Sequence, residues 1–281
     1  MDFKKSIFEN RKNSPTPFFA AHRGVCGANI PCNTMAAYKI ATDQGAEIVE
    51  IDITKSKDGE YFVFHPGMEP IFLKSEKKIP EMTTEEVMAL CLLNQDDTPT
   101  SYKIPTLSEV LGFLKGKAYI NVDKFWTDVE GISRQIRLAG VEDQVIVKTY
   151  TKEESLDEVA KYASDFMFMP MVSETDDVTD MLIKRGVNII GTEVLFKSDD
   201  SPVITPEYIK AMHGKGLLIW ANAIVYNEKA NISAYHTDDI SLTKSPELGW
   251  GWLIDRGVDI IQTDWLLCAK AYAATKLQSE K

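Results

Sequence analysis

Residues 18–67 read FFAAHRGVCGANIPCNTMAAYKIATDQGAEIVEIDITKSKDGEYFVFHPG. An apolar run ends in His22-Arg23-Gly24, a helical stretch follows, and a second apolar run carries Glu50 and Asp52. Side chains two apart on a strand share a face, so the two acids project side by side and can hold one cation with oxygen ligands. Lys57-Asp58-Gly59-Glu60 has the Asp-Gly signature of a tight hairpin, and a third run returns to His65. With the turn centred near Asp58-Gly59, Asp52 lies about opposite His65. His22 and His65 both stand at the ends of apolar runs, where side chains leave a core and meet solvent. Two histidines and a paired acid suit proton transfer around a metal-held anion.

These pieces, in this spacing, resemble the glycerophosphodiester phosphodiesterase family. The matching segments are His22-Arg23-Gly24, Pro31-Cys32-Asn33-Thr34, Glu50-Ile51-Asp52, Lys57-Asp58-Gly59 and His65. The likeness continues more loosely to about residue 265, through Ile104-Pro105-Thr106-Leu107, Trp220 and Thr263-Asp264. It implies a TIM barrel and cleavage of a glycerophosphodiester with one divalent cation, Ca2+ or Mg2+. It also implies phosphate binding by Arg23, a third metal carboxylate at Asp123 where the family usually has Glu, and a cap over the barrel mouth. Attack by the substrate's own glycerol hydroxyl and attack by water both stay open, as does which histidine is base and which acid. Cys32 stands where the family usually has Glu, and Pro66 where an Asp usually follows the second His. Both departures suggest a divergent branch.

The chain has 281 residues, 44% of them hydrophobic, enough for one large barrel or two small domains. A net charge of −11 argues against nucleic acid as a general partner and leaves room for a small anion where cations concentrate. Cys26, Cys32, Cys91 and Cys268 show no zinc or redox spacing, which suggests free thiols of a reduced compartment. The first seventeen residues hold no apolar run of signal-peptide length, and no stretch approaches a membrane span. A cytoplasmic enzyme is the expectation, unless an export signal lies outside this sequence; the oligomeric state is not legible.

A repeating unit runs along the chain. A polar helix tail closes with Gly and an apolar strand begins, at Gly45, Gly116, Gly140, Gly186, Gly216 and Gly257. Continuous apolar strands suit a parallel sheet covered on both faces. Strands are expected at 18–22, 47–53, 118–124, 145–150, 165–171, 188–195, 217–222 and 259–263, with 60–65 as the return arm of the hairpin. That makes eight, the number of a TIM (β/α)8 barrel, with a small insertion after the second-strand hairpin. Helices are expected near 34–44, 83–93, 106–115, 127–139, 152–163, 176–185, 205–215, 246–256 and 265–277. Residues 1–281 thus read as one domain, with 66–105 as a cap-like insertion. The long connection 223–245, with Tyr226, Tyr235 and His236, falls on the catalytic face.

Further residues join the candidate site with less support. Asn121 shares the strand face of Asp123. Lys124 is expected to point away toward the helices. Lys148, on the next strand, is expected to face the barrel interior and to bind phosphate in place of a family lysine, or to pair with Glu193, or both. Trp220 and Trp265 are read as walls of the mouth, Cys26 as a packed thiol, and His213 and His236 as surface or rim residues. A barrel glycosidase is a rival, but Glu50 and Asp52 on one strand would not flank a sugar from opposite sides. A non-catalytic binding barrel and a lysophospholipase D-type cleavage remain further alternatives.

Overall fold

Alternation along the strands decides where each side chain goes. Phe19, Val49, Ile51, Ile120, Val122, Val145, Val147, Ile219 and Ile261 pack outward in one apolar cluster with the helices. Phe18, Ala20, Ile48, Tyr119, Ile146, Met169, Trp220 and Ile260 pack inward in another. Both faces of each strand are therefore buried, as a parallel sheet sheathed in helices requires.

In the computed structural model, which describes residues 3, 6–225 and 230–279, the strands are β1 (Phe18–Ala21), β2 (Ile48–Lys55), β3 (Tyr61–Val63), β4 (Tyr119–Asp123), β5 (Val145–Tyr150), β6 (Met167–Ser173), β7 (Gly191–Leu195), β8 (Leu218–Asn222) and β9 (Ile260–Thr263). Their order is β1-β9-β8-β7-β6-β5-β4-β2-β3, and β1 also pairs β2, so eight parallel strands close into a barrel. This is the TIM barrel expected from the sequence. β3 stands outside the ring as the antiparallel arm of the β2 hairpin.

Strand ends differ from expectation by a few residues. β1 stops at Ala21, one short of His22, and β7 begins at Gly191 rather than 188, with Ile189 making only an isolated bridge to Phe168. The hairpin register is slipped by one. Ile53 pairs Val63 and the Phe64 N–H donates to the Asp52 carbonyl, so Asp52 faces Phe64 and not His65. Thr34, Thr106 and Thr205 cap their helices, each hydroxyl accepting a backbone N–H from the first turn.

Three α-helices were not expected, one of them Glu69–Phe72 in the insertion. Ile7–Lys12 is capped by Ser6 and buries only Ile7, too short a pattern to show periodicity. Ile7, with Phe3 and Phe8 against it, packs on the inward cluster and closes the barrel floor. Asp238–Thr243 follows β8. The expected helix 246–256 is a π-helical turn, Glu247–Gly251, running into Trp252–Arg256.

Residues 66–105 hold short helices at Glu69–Phe72 and Thr84–Ala89 and a 3-10 turn at Ile79–Glu81. Leu73, Ile79, Met82, Val87, Leu92 and Ile104 form their own apolar cluster on Phe62 and Phe64 of the hairpin arm. Tyr226 lies outside the described residues.

Candidate active site

The inward rows turn polar toward the strand C-termini. Ile48 is followed on its face by Glu50 and Asp52, Tyr119 by Asn121 and Asp123, Ile146 by Lys148, and Trp220 by Asn222. Glu50 pairs Asn121 and Asp52 pairs Asp123 across β2 and β4, which puts Asp52 level with Asp123 and Glu50 one step below on the same face. One oxygen each from Glu50, Asp52 and Asp123 lies within 4.8 Å of the others. Among the described residues this is the group of three that could hold a metal ion.

Arg23 joins them through backbone geometry. Arg23 and Gly24 take φ of 56° and 81°, a left-handed turn that swings Arg23 inward off the strand end. Its N–H donates to Glu50 Oε2 at 2.8 Å and its guanidinium Nε lies 2.8 Å from Asp52 Oδ2. A Cβ at Gly24 would come within 2.7 Å of the Ala37 carbonyl carbon, so the turn admits only glycine. Asn33 Nδ2 donates to the same Asp52 oxygen at 2.9 Å, while its Oδ1 accepts the Tyr38 hydroxyl at 2.8 Å.

His65 reaches the site because the arm bends. On a continued ladder it would share the outward face of Val63, but β3 ends at Val63. A bend at Phe64 turns the ring inward, and Nε2 comes to 4.0 Å from Asp52 Oδ1. Nδ1 donates to the Pro66 carbonyl at 2.9 Å, so Nε2 is the ring nitrogen facing the acids. Burial, with Arg23 and Lys124 nearby, lowers the imidazole pKa against the pull of Asp52. His22 leaves β1 beside β9, and its Nδ1 donates to Asp264 Oδ1 at 2.8 Å. The Asp264 N–H in turn donates to Asp238 Oδ2 at 2.8 Å.

Lys124 does not point toward the helices. Its φ of 61° breaks strand alternation right after Asp123 and folds the side chain back over the site. Its ammonium lies 2.6 Å from Asp123 Oδ2 and 3.6 Å from Asp52 Oδ1. Lys148 does face the interior, at 2% exposure, and its ammonium pairs with Glu193 Oε2 at 2.9 Å over the Trp220 ring. Glu193 Oε1 accepts from Asn222 Nδ2 at 2.5 Å. Lys148 is thus held by Glu193, while Lys124 is the lysine at the acidic trio.

Burial first, then the charges of Asp52 and Asp123, push the Glu50 carboxyl well above its ordinary range. Burial would raise Asp52 too, but Arg23, Lys124, His65 and the Asn33 amide outweigh it and hold the carboxyl low. Three acids so close, one of them forced toward protonation, are short of positive charge. Asn121 Oδ1 is buried nearby with no hydrogen-bond partner. A hard divalent cation fits this all-oxygen set and, if bound, would relieve both mismatches.

A cavity of about 150 Å³ opens above, lined by Glu50, Asp123, Lys124 and Lys148 and walled by Trp126 and Tyr150. Trp220 and Trp265 do not line it: the first is buried beneath Lys148, and the second is 52% exposed after β9. Cys26 is exposed, not packed. His213 pairs with Asp259 and His236 stacks on Trp252, both structural contacts away from the acids. Sequence reasoning missed Asn33, Lys124 and Asp264 as site residues. Asn33 and Asp264 did carry a signal, since both stand in segments that resemble the family, whereas Lys124 carried none.

A family model described as a domain of unknown function matches residues 168–272. A glycerophosphodiester phosphodiesterase of Caldanaerobacter subterraneus is 31% identical over 137 residues, covering 48% of this chain and 54% of that protein. The chain thus spans about half the length of that relative. In structure, a glycerophosphoryl diester phosphodiesterase from Parabacteroides distasonis superposes with a TM-score of 0.71 at 22% identity, over 94% of this chain and 88% of that one. An Oleispira antarctica phosphodiesterase, solved with the product sn-glycerol-3-phosphate, gives 0.62 at 18% identity, over 93% and 97%. The structural likenesses are of fold. The resemblance read from residues 18–67 is the one these comparisons return, and the matched family model of unknown function is in keeping with a divergent branch.

Proposed function

We propose that this chain hydrolyses a glycerophosphodiester to glycerol 3-phosphate and an alcohol, with one divalent cation, Ca2+ or Mg2+, held by Glu50, Asp52 and Asp123. The observation that carries the reading is the acidic trio at the barrel mouth with an imidazole, His65, turned onto it and a second, His22, on the adjacent strand end. The relative's name and the product seen in the Oleispira enzyme point to the same substrate class. When bound, the cation stabilises negative charge building on the phosphoryl oxygens.

The chain's own residues do the rest. Arg23 and Lys124 lie beside the trio and offer a guanidinium fork and an ammonium to the phosphate. His65 accepts a proton at Nε2 from the attacking hydroxyl; its lowered pKa keeps that nitrogen deprotonated near neutral pH. His22, its ring oriented through Nδ1 by Asp264, gives a proton from Nε2 to the leaving alkoxide. Lys148 sets charge beneath the phosphate through Glu193. Residues 66–105 act as a cap beside the hairpin that delivers His65, within one domain. Free cysteines and the absence of a membrane-crossing helix among the described residues support action on a water-borne diester in the cytoplasm.

Release of glycerol 3-phosphate from glycerophosphocholine and glycerophosphoethanolamine, with lysophosphatidylcholine beside them, tests the reading. Turnover should stop in chelator and return with Ca2+ or Mg2+. No release from any diester at any metal concentration would overturn it.

A further inference from the structure

The loop between Arg23 and Asn33 holds chemistry that hydrolysis does not use. Its two ends are tied, the Asn33 N–H donating to the Arg23 carbonyl at 3.0 Å, and both side chains converge on Asp52 Oδ2. Between them, Gly27 and Ile30 exchange two hydrogen bonds of 3.0 Å around Ala28, whose φ is 50°. That tight turn folds the loop back on itself and sets Cys26 and Cys32 as neighbours on its two arms. Cys26 is exposed and Cys32 half-buried, so an oxidant can reach the pair.

We propose that Cys26 and Cys32 are a reversible oxidation site, converted by a hydroperoxide into a disulfide that disturbs the phosphate side of the mouth. The pair is polarised for the reaction. The Cys26 thiol, beside the Cys32 sulfur, is held protonated, while that neighbour and the Arg23 charge favour the Cys32 thiolate against its burial. The Cys32 thiolate attacks the peroxide, the O–O bond breaks, and a sulfenic acid and hydroxide result. The Cys26 sulfur then attacks the sulfenic sulfur; the S–S bond forms, the S–O bond breaks, and hydroxide leaves with the thiol proton as water. Two thiols and one hydrogen peroxide give one disulfide and two waters, a two-electron exchange. The two sulfurs must close to about 2.05 Å, which draws the loop arms together. The pull falls on Arg23 and Asn33, the groups that seat Asp52.

Hydrogen peroxide on the whole protein, followed by peptide mapping, reads the site directly. The expected result is loss of two hydrogens in a Cys26–Cys32 crosslink, with kcat/KM for glycerophosphocholine falling about tenfold and dithiothreitol restoring it. Cys26→Ser and Cys32→Ser should keep basal activity within about twofold and lose both the crosslink and the inhibition. The Cys91→Ser, Cys268→Ser double variant should keep both. Sulfinic acid on either residue without a crosslink, or a crosslink that leaves kcat/KM unchanged, would overturn the proposal. The activity arm rests on the proposed hydrolysis, but mapping needs no turnover, so failure of that reading and failure of this one are told apart.

Discussion

Lys148 shows how much one side chain's surroundings change its meaning. Strand alternation correctly turns it inward, but only the barrel's closure shows Glu193 waiting 2.9 Å away. Lys148→Met would leave the Glu193 carboxylate buried without its cation, a change that costs about 3–5 kcal/mol where pairs are this enclosed. Urea unfolding measures it, and adding Glu193→Gln should recover more than half of the loss. A single variant within about 1 kcal/mol of the parent would show the pair to be dispensable. For the histidines the expected effect is on rate. His22→Ala or His65→Ala should lower kcat by about 10²–10⁴-fold. A diester with a good leaving group should rescue His22→Ala far more than His65→Ala; the reverse pattern would exchange their roles. Glu50 and Asp52 were legible because two-residue alternation puts them on one strand face, whereas Asp123 came only with the family resemblance. Lys124 was not, because a left-handed residue ends the alternation and nothing in its side chain announces that.

Among elements, the turn after β1 and the helix after β8 carry the site's precision. Gly24→Ala would force a Cβ into the Ala37 backbone while holding φ at 81°. The left-handed cost of about 1–2 kcal/mol adds to the overpacking. Its urea midpoint should drop and its turnover fall with it; a stable, active variant would mean the turn re-forms. Asp238, at the start of its helix, accepts from the Trp250 indole, the Thr263 hydroxyl and the Asp264 N–H. Burial outweighs these donors and raises its carboxyl to about 7. The unfolded chain releases that proton near pH 4, so between these values the folded state binds it more tightly. The stability involved is complete below about pH 4 and is lost as pH rises through about 7. Wild-type urea midpoints should therefore fall between pH 5 and pH 8 by more than those of Asp238→Asn. Equal falls would remove Asp238 as the cause. Neither helix 7–12 nor helix 238–243 showed in the sequence, since six residues with one or two buried side chains leave no period to read. The hairpin was legible in kind but not in register, because its loop from Ser56 to Glu60 is longer than the Asp-Gly pair suggests.

The whole molecule carries eleven excess negative charges, yet its barrel mouth gathers Arg23, Lys124 and Lys148 against the acids. A cation that binds only the folded mouth stabilises the whole barrel by linkage. At about 100 times its Kd the gain is ~2.7 kcal/mol, or about 5 °C or more in Tm. Mg2+ or Ca2+ should produce that rise, chelator should abolish it, and Glu50→Gln should shrink it. An unchanged Tm would remove the cation from the trio. The barrel itself was legible because each Gly-then-strand unit repeats the same local physics, whereas the floor was not. That floor, Ile7 with Phe3 and Phe8 beneath the inward strand residues, makes the interior a packed plug under the acidic mouth. A ligand bound at that mouth has no path through the plug and would leave on the side it entered, in reverse order of depth. On the proposed hydrolysis the alcohol, nearer the rim, would depart first and glycerol 3-phosphate, held by the charges below, would depart last. Added glycerol 3-phosphate should then compete with fresh diester for the emptied enzyme, while added alcohol should not.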